Sequence, residues 1–591
     1  MQTSPTEPSP TPNDFQPSVL REYALIADGE RGALCGPRGE IAWLCAPGWD
    51  DDAVLSGLVG GGGVYAVTPI ERHVWGGHYE PGSLVWRNRW VTTDGIVECR
   101  DALAFPGDPH RAVVLRRVEA PEGTARIRVV LDLRARFGQE PMRDVRRTID
   151  GRWTARTGPL WIRWTGAPAA RPAEDGRLEL ELTVPGGDHR DLILEVGDRE
   201  LPEPIDPDQA WARTEEEWRA AVPEFATSVA PRDARHAYAL LRGLTTGSGA
   251  MVAAATLGLP ERAEAGRNYD YRYAWIRDQC YAGIAVGVDG PHPLLDDAVK
   301  VATARLLEHG DRLAPGYRAD GSGIPRERRL HLPGYPGGAD VVGNWVHGQF
   351  QLDAFGEILQ LLTVAARHDR LDDDGRRALH LAVDVIDRRW DRPDAGIWEL
   401  REDWWTHSRL ACVAGLRAAA GVVTRAESGR LTDLADTILG ETTKRCTRPD
   451  RAWRRSPRHD GTDAALLLPP VRGALPHDDP RVRATITAVE NELTQDGYAY
   501  RFAADGDVPL GENEGAFLLC GFELALAYWH QGQVDRAGRW FERNRAACGP
   551  PGLFTEEYDV RQRQLRGNIP QAFVHAMFLE TSLRLAGDPV R

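Results

Sequence analysis

The chain has 591 residues, too many for one typical domain of about 100–200 residues, and its 87 acidic against 72 basic side chains leave a formal charge of −15. No basic block stands out to neutralise phosphates, which argues against a nucleic-acid partner, and no apolar run approaches the roughly 20 residues of a membrane helix. The eight cysteines lack CxxC spacing, which points away from a thiolate zinc site and toward reduced, mostly buried thiols in a cytoplasmic protein.

Residues 1–18 are rich in Pro, Ser and Thr, with neither the charged nor the apolar region of a secretory signal, and are expected to form a disordered tail. From 19 to 205 the apolar residues alternate, as in Ile127, Val129, Leu131, Leu133 and in Leu178, Leu180, Leu182, Val184. Turn signals separate such runs (Thr93-Asp94-Gly95, Pro121-Glu122-Gly123, Pro185-Gly186-Gly187), so short antiparallel strands follow one another and a β-sandwich is expected. Three prolines within 201–207 end this pattern, and residues 208–222, with Trp211 and Trp218 seven apart among acidic residues, predict an amphipathic helix in a linker over 206–232.

From 233 to 591 the period is helical. Leu352, Phe355, Leu359 and Leu362 are spaced 3, 4 and 3, and residues 516–529 and 571–585 behave alike. So much helix exceeds a four-helix bundle and suits a ring of paired helices whose connecting loops carry a site at one end.

Residues 267–278 (RNYDYRYAWIRD) interleave Tyr269, Tyr271, Tyr273 and Trp275 with arginines and aspartates, a mixture that neither a core nor a plain solvated face favours. Aromatic walls with Arg and Asp between them grip sugar hydroxyls while a ring face stacks; a salt-bridged interdomain contact is the alternative. In 343–353 a helix start carries Gln351 and Asp353, which suit a cleft or ordinary helix-end satisfaction equally, and His347 reads as structural. Two further segments, 396–401 (GIWELR) and 555–559 (TEEYD), set acidic residues beside aromatics far apart in the chain. Cleavage of a glycosidic acetal needs two such carboxyl groups, one to protonate the leaving oxygen and one to activate water. No His, Asp and Glu cluster has metal-ligand spacing, so neither metal nor cofactor is expected.

These segments, together with 343–357 (GNWVHGQFQLDAFGE), 396–408 (GIWELREDWWTHS), 514–520 (EGAFLLC) and 555–575 (TEEYDVRQRQLRGNIPQAFVH), occur in the order found in glycoside hydrolase family 15. The chain resembles the bacterial glucoamylase-like and trehalase-like members, and the similarity extends through residues 23–137. The resemblance implies an N-terminal super-β-sandwich, a helical linker and an (α/α)6 barrel, and inverting exo-hydrolysis that releases β-glucose from the non-reducing end of an α-glucoside. It matches Glu399 to the general acid and Glu556 to the general base, with the adjacent Glu557 not excluded. It matches Arg277 and Asp278 to the pair that holds the terminal glucose, Tyr271 to an aromatic beside the scissile centre, and Trp275 to a pocket wall. Trp398 is expected to raise the pKa of Glu399 by desolvation while Glu556 stays ionised, and Arg501 is a weaker candidate beyond the scissile bond.

Leu400 stands where fungal glucoamylases carry a second acidic residue and Glu557 where they carry glutamine, so the leaving sugar is not specified by the match. Trehalose or a maltodextrin is the expected small-molecule partner. A disaccharide phosphorylase of similar architecture and a non-catalytic sugar-binding protein stand as alternatives, with oligomeric state left open.

Overall fold

The computed structural model describes residues 15–503 and 509–588, so most of the expected N-terminal tail lies outside the described residues. Two compact units are present. The first takes in 15–80, 84–217 and a later excursion, 330–340; the second takes in 81–83, 218–329 and 341–588.

The first unit is a β-sandwich of two antiparallel eight-stranded sheets. In one, strand Ala125–Asp132 lies between Val64–Pro69 and Leu178–Val184, and the two alternating runs read from the sequence face each other as Ile127 opposite Leu182, Val129 opposite Leu180 and Leu131 opposite Leu178. In the other, Thr93 and Asp94 join Trp86–Thr92 to Gly95–Leu103 as expected, whereas Pro121 to Gly123 remain part of strand Arg111–Gly123, with Gly123 opposite Gly95. Inward residues of both sheets, among them Tyr65, Val67, Ile127, Trp86, Trp90 and Trp164, form one buried cluster. At its centre Arg116 pairs with Asp101 at 2.8 Å, both fully buried, and the Arg116 guanidinium lies 4.7 Å from the Tyr65 ring centre. The predicted helix after the prolines runs Pro207–Ala221, with Trp211 buried and its indole N–H donating to Asp191 Oδ1 at 3.0 Å.

The second unit is an (α/α)6 barrel. Its outer helices are α1 (Pro231–Gly243), α3 (Pro293–His309), α5 (Asp373–Arg389), α7 (Arg425–Cys446), α9 (Pro480–Glu492) and α11 (Val534–Arg545). Its inner helices are α2 (Ile276–Val286), α4 (Asp353–Arg367), α6 (Thr406–Ala420), α8 (the 3-10 turn Ala464–Leu467 continuing as Leu468–Val471), α10 (Leu518–His530) and α12 (Ala572–Arg584). Each inner helix packs on the next, and α12 closes the ring on α2. The inner set is apolar nearly all round, as a helix buried on every side must be: every residue of α10 from Leu518 to Trp529 is buried. The outer helices keep one apolar stripe, as in Ala378, Leu379, Ala382, Val383 and Ile386 of α5. Among the described residues no helix is long and apolar enough to cross a membrane.

Glycines set the closest approach in the ring. A Cβ on Gly356 of α4 would stand 2.5 Å from the backbone of Ala411 in α6, and one on Gly415 would meet the Gly356 carbonyl at 2.5 Å. Gly356→Ala is therefore expected to cost about 1–3 kcal/mol by overpacking, read as a lower urea midpoint. An unchanged midpoint would show that α4 and α6 separate without cost.

Candidate active site

Connections from inner to outer helices are short: 287–292, 368–372, 421–424, 472–479 and 531–533. Those from outer to inner helices are long: 244–275, 310–352, 390–405, 447–463, 493–517 and 546–571. Because chain direction alternates around the ring, the long segments gather at one end, where loops have room to build a site. A cavity opens there, about 580 Å³ when the space open to solvent at its mouth is counted. Eight of the residues singled out from the sequence line it: Tyr271, Trp275, Arg277, Asp278, Trp398, Glu399, Arg501 and Glu556.

Glu399 is held on a tight turn. Its N–H reaches the Gly396 carbonyl at 3.1 Å, and both residues have left-handed backbone, φ 67° at Gly396 and 56° at Glu399. Glycine adopts that region freely; a glutamate there carries strain of the order of 1 kcal/mol, a feature that clusters at functional positions. The hydrogen-bond partner of Glu399 is a residue distant in the chain. Its Oε1 accepts the Trp275 indole N–H at 2.8 Å and lies 3.9 Å from Arg277, whereas the neighbouring Trp398 donates to Asp463 Oδ1 at 2.9 Å and packs edge-on against Phe517. Trp275 is thus a donor to the carboxylate as well as a wall.

Glu556 lines the cavity and accepts the Tyr271 hydroxyl at 3.2 Å. Glu557 begins the strand Glu557–Asp559, where successive side chains point to opposite faces, and its Oε2 accepts the Gly515 N–H at 2.6 Å. Burial, then the charge of Glu261, pushes the Glu556 carboxyl well above the ordinary range, with Arg277 and the Tyr271 hydroxyl acting in the opposite sense. Low dielectric and a like charge disfavour the anion, so the Glu556 carboxylate holds a proton more tightly than an ordinary one.

Asp278 is fully buried in the first turn of α2, and burial lifts its carboxyl to about 6. Arg277 stands 3.4 Å from it and donates to the Ile397 carbonyl at 2.7 Å. Neither Asp278 oxygen forms a hydrogen bond among the described residues, nor does Oε1 of the buried Gln571 in the same wall. Buried polar atoms are normally satisfied, so acceptors left so beside a cavity suit a ligand rich in hydroxyl donors. Trp345, 45% exposed, lines the same space. Arg501 is clamped by Glu514 at 2.7 and 3.0 Å and lies 4.6 Å from the Phe517 ring centre.

Glu261, Arg267, Tyr269, Gln571 and Phe573 also line the cavity. Of these, Arg267 and Tyr269 fall in the aromatic and charged segment already noted, but Glu261 follows Leu259 and Pro260 with no aromatic or acidic neighbour to mark it. His347, Gln351 and Asp353 stay off the cavity wall. Asn344 caps the 3-10 turn Trp345–Gly348 by accepting the Val346 N–H, and Asp353 opens α4.

Comparison with known proteins adds to this geometry. A family model described as "Glycosyl hydrolases family 15" matches residues 235–583, and one described as "Trehalase-like, N-terminal" matches residues 15–183. The chain is 29% identical to a trehalase of Mycolicibacterium smegmatis, over 95% of this chain and 90% of that one. It is 29% identical to a trehalase of Mycobacterium tuberculosis over 96% and 89%, and 27% identical to an isomaltose glucohydrolase of Kribbella flavida over 54% and 80%. A solved structure described as a bacterial glucoamylase complexed with acarbose shares the fold at a TM-score of 0.68 and 13% identity, covering 96% of this chain and 94% of its own.

Proposed function

The chain belongs to glycosyl hydrolase family 15 and is a glycoside hydrolase, and from that premise we propose that it is an inverting, exo-acting α-glucosidase with trehalose as its substrate. The observation that carries this reading is the placing of Glu399 and Glu556, from loops 390–405 and 546–571, on the wall of one cavity beside the unsatisfied carboxylate of Asp278.

Glu399 is the general acid. The Trp275 N–H fixes one carboxyl oxygen and leaves Oε2 to present a proton to the glycosidic oxygen. Glu556 is the general base, steadied by the Tyr271 hydroxyl, and the lift in its pKa makes its anion a better proton acceptor from water than an ordinary carboxylate. Asp278 and Arg277 hold the hydroxyls of the terminal glucose by charge-assisted hydrogen bonds, and Trp345 and Trp398 supply ring faces. Inversion requires the two carboxyl groups to stand about 6.5–9.5 Å apart with water between base and anomeric carbon. The choice of trehalose is supported by similarity to trehalases over nearly the full length of both chains and by the trehalase-like N-terminal region.

Product analysis by NMR tests this reading. Each turnover of trehalose is expected to give one β-glucose from the attacked ring and one α-glucose from the leaving ring, so both anomers appear equally at early times. α-Glucose alone would sink the inverting mechanism, and faster turnover of maltose or isomaltose than of trehalose would reassign the substrate.

A further inference from the structure

Behind Glu556 lies a group of carboxylates that the mechanism above does not use. Glu261, 3% exposed, lines the same cavity as Glu556, and the two side chains flank Gly567, where an added Cβ would stand 3.8 Å from Glu261 Cγ and 3.7 Å from Glu556 Cβ. Arg267 joins it to the rest: its Nε lies 3.1 Å from Glu261, its Nη1 donates to Glu514 at 2.5 Å, and Glu514 in turn clamps Arg501. Four buried acids, Glu261, Glu514, Glu556 and Glu557, thus lie among the guanidinium groups of Arg267, Arg501 and Arg277. In a low-dielectric site, like charges this close disfavour full ionisation of the group.

We propose that Glu261 is the proton acceptor behind Glu556, taking over the proton that Glu556 removes from the attacking water. This rests on the assignment of Glu556 as base. As the water oxygen bonds to the anomeric carbon, its O–H breaks and the proton goes to Glu556, while the glycosidic bond breaks and the leaving oxygen takes a proton from Glu399. The proton on Glu556 then crosses to Glu261, restoring the Glu556 carboxylate, and Glu261 releases it to water entering the cavity once glucose has left. Glu399 regains a proton from solvent, so the cycle balances without any redox change.

Glu261 acts through Glu556 and must be ionised to receive the proton. The groups facing it are Arg267, Glu514, Glu556, Glu557 and Tyr269; those facing Glu556 are Glu261, Arg277, Asp278, Tyr271 and Glu557. Burial and Glu514 lift Glu261 to about 7, with Arg267 opposing, so the acid limb of the activity profile falls near neutrality. Gln at 261 keeps the size but accepts no proton and removes a negative neighbour of Glu556.

The test is Glu261→Gln assayed on trehalose across pH. The expected result is a kcat lower by roughly tenfold or more, a KM within about twofold, and an acid limb displaced to lower pH, with Glu261→Asp recovering part of the kcat. In the wild-type chain, which needs no variant to fold, the acid limb of log kcat/KM is expected to steepen from a slope of one toward two. A slope that stays at one, or a Glu261→Gln profile that matches the wild type, overturns the inference. Glu556→Gln run alongside separates the two failures: if it abolishes turnover while Glu261→Gln does not lower it, only the relay is lost; if Glu556→Gln retains turnover, the base assignment falls and takes the relay with it.

Discussion

Glu399→Gln and Glu556→Gln are each expected to lower kcat on trehalose by about 10²–10⁴-fold, the range that positioned acid or base catalysis contributes, with sugar binding retained. Both substitutions preserve side-chain size, and the Trp275 and Tyr271 donors keep an amide oxygen to bond. The two losses separate by leaving group. An aryl α-glucoside with an acidic phenol departs with little help from a proton, so Glu399→Gln loses far less on it than on trehalose. Glu556→Gln loses equally on both, because water still has to be activated. The roles would be exchanged if the aryl substrate rescued Glu556→Gln instead. Retained turnover on trehalose in both variants would remove these residues from the mechanism altogether.

Much of this site was legible because its chemistry is written in local clusters. Residues 267–278, 396–401 and 555–559 each mix acid and aromatic side chains over a few positions, and the fold brings them to one cavity. The alternation that marked the sandwich is visible in the register of its strands, where Ile127, Val129 and Leu131 face Leu182, Leu180 and Leu178. What the sequence hid are contacts whose partners are distant in the chain. Trp398 precedes Glu399, yet the left-handed backbone at Glu399 turns its carboxylate toward Trp275 while Trp398 reaches Asp463. Glu261 carries no local mark, and only closure of the ring sets loop 244–275 against loop 546–571. Glu556 and Glu557 differ in direction: the Gly515 N–H takes Glu557, whereas Glu556 is on the cavity wall.

Asp394→Ala is expected to be the most damaging single change outside the cavity. Asp394 is fully buried five residues before Glu399, and its Oδ1 accepts the Gly396 N–H and the Ser408 hydroxyl, each at 2.8 Å. Its Oδ2 pairs with Arg409 of α6, also fully buried, and its backbone exchanges hydrogen bonds of 3.0 Å with Asp403, closing the loop that presents Glu399. Removing the carboxylate leaves the guanidinium buried and uncompensated, which costs about 3–5 kcal/mol. It also frees Gly396, the foot of the turn that holds Glu399 in its strained conformation, and a displacement of about 1 Å at a reacting group costs on the order of 10²-fold in rate. Urea unfolding and kcat should therefore fall together in Asp394→Ala, whereas Ser408→Ala, which removes one neutral hydrogen bond, should cost only about 1 kcal/mol. The double variant Asp394→Leu/Arg409→Met removes both charges at once and is expected to recover much of the lost stability but little of the activity, since Gly396 still lacks its acceptor. If the double variant recovered kcat as well, Asp394 would serve only the barrel's stability, and the geometry of Glu399 would have to be held by the Trp275 hydrogen bond alone.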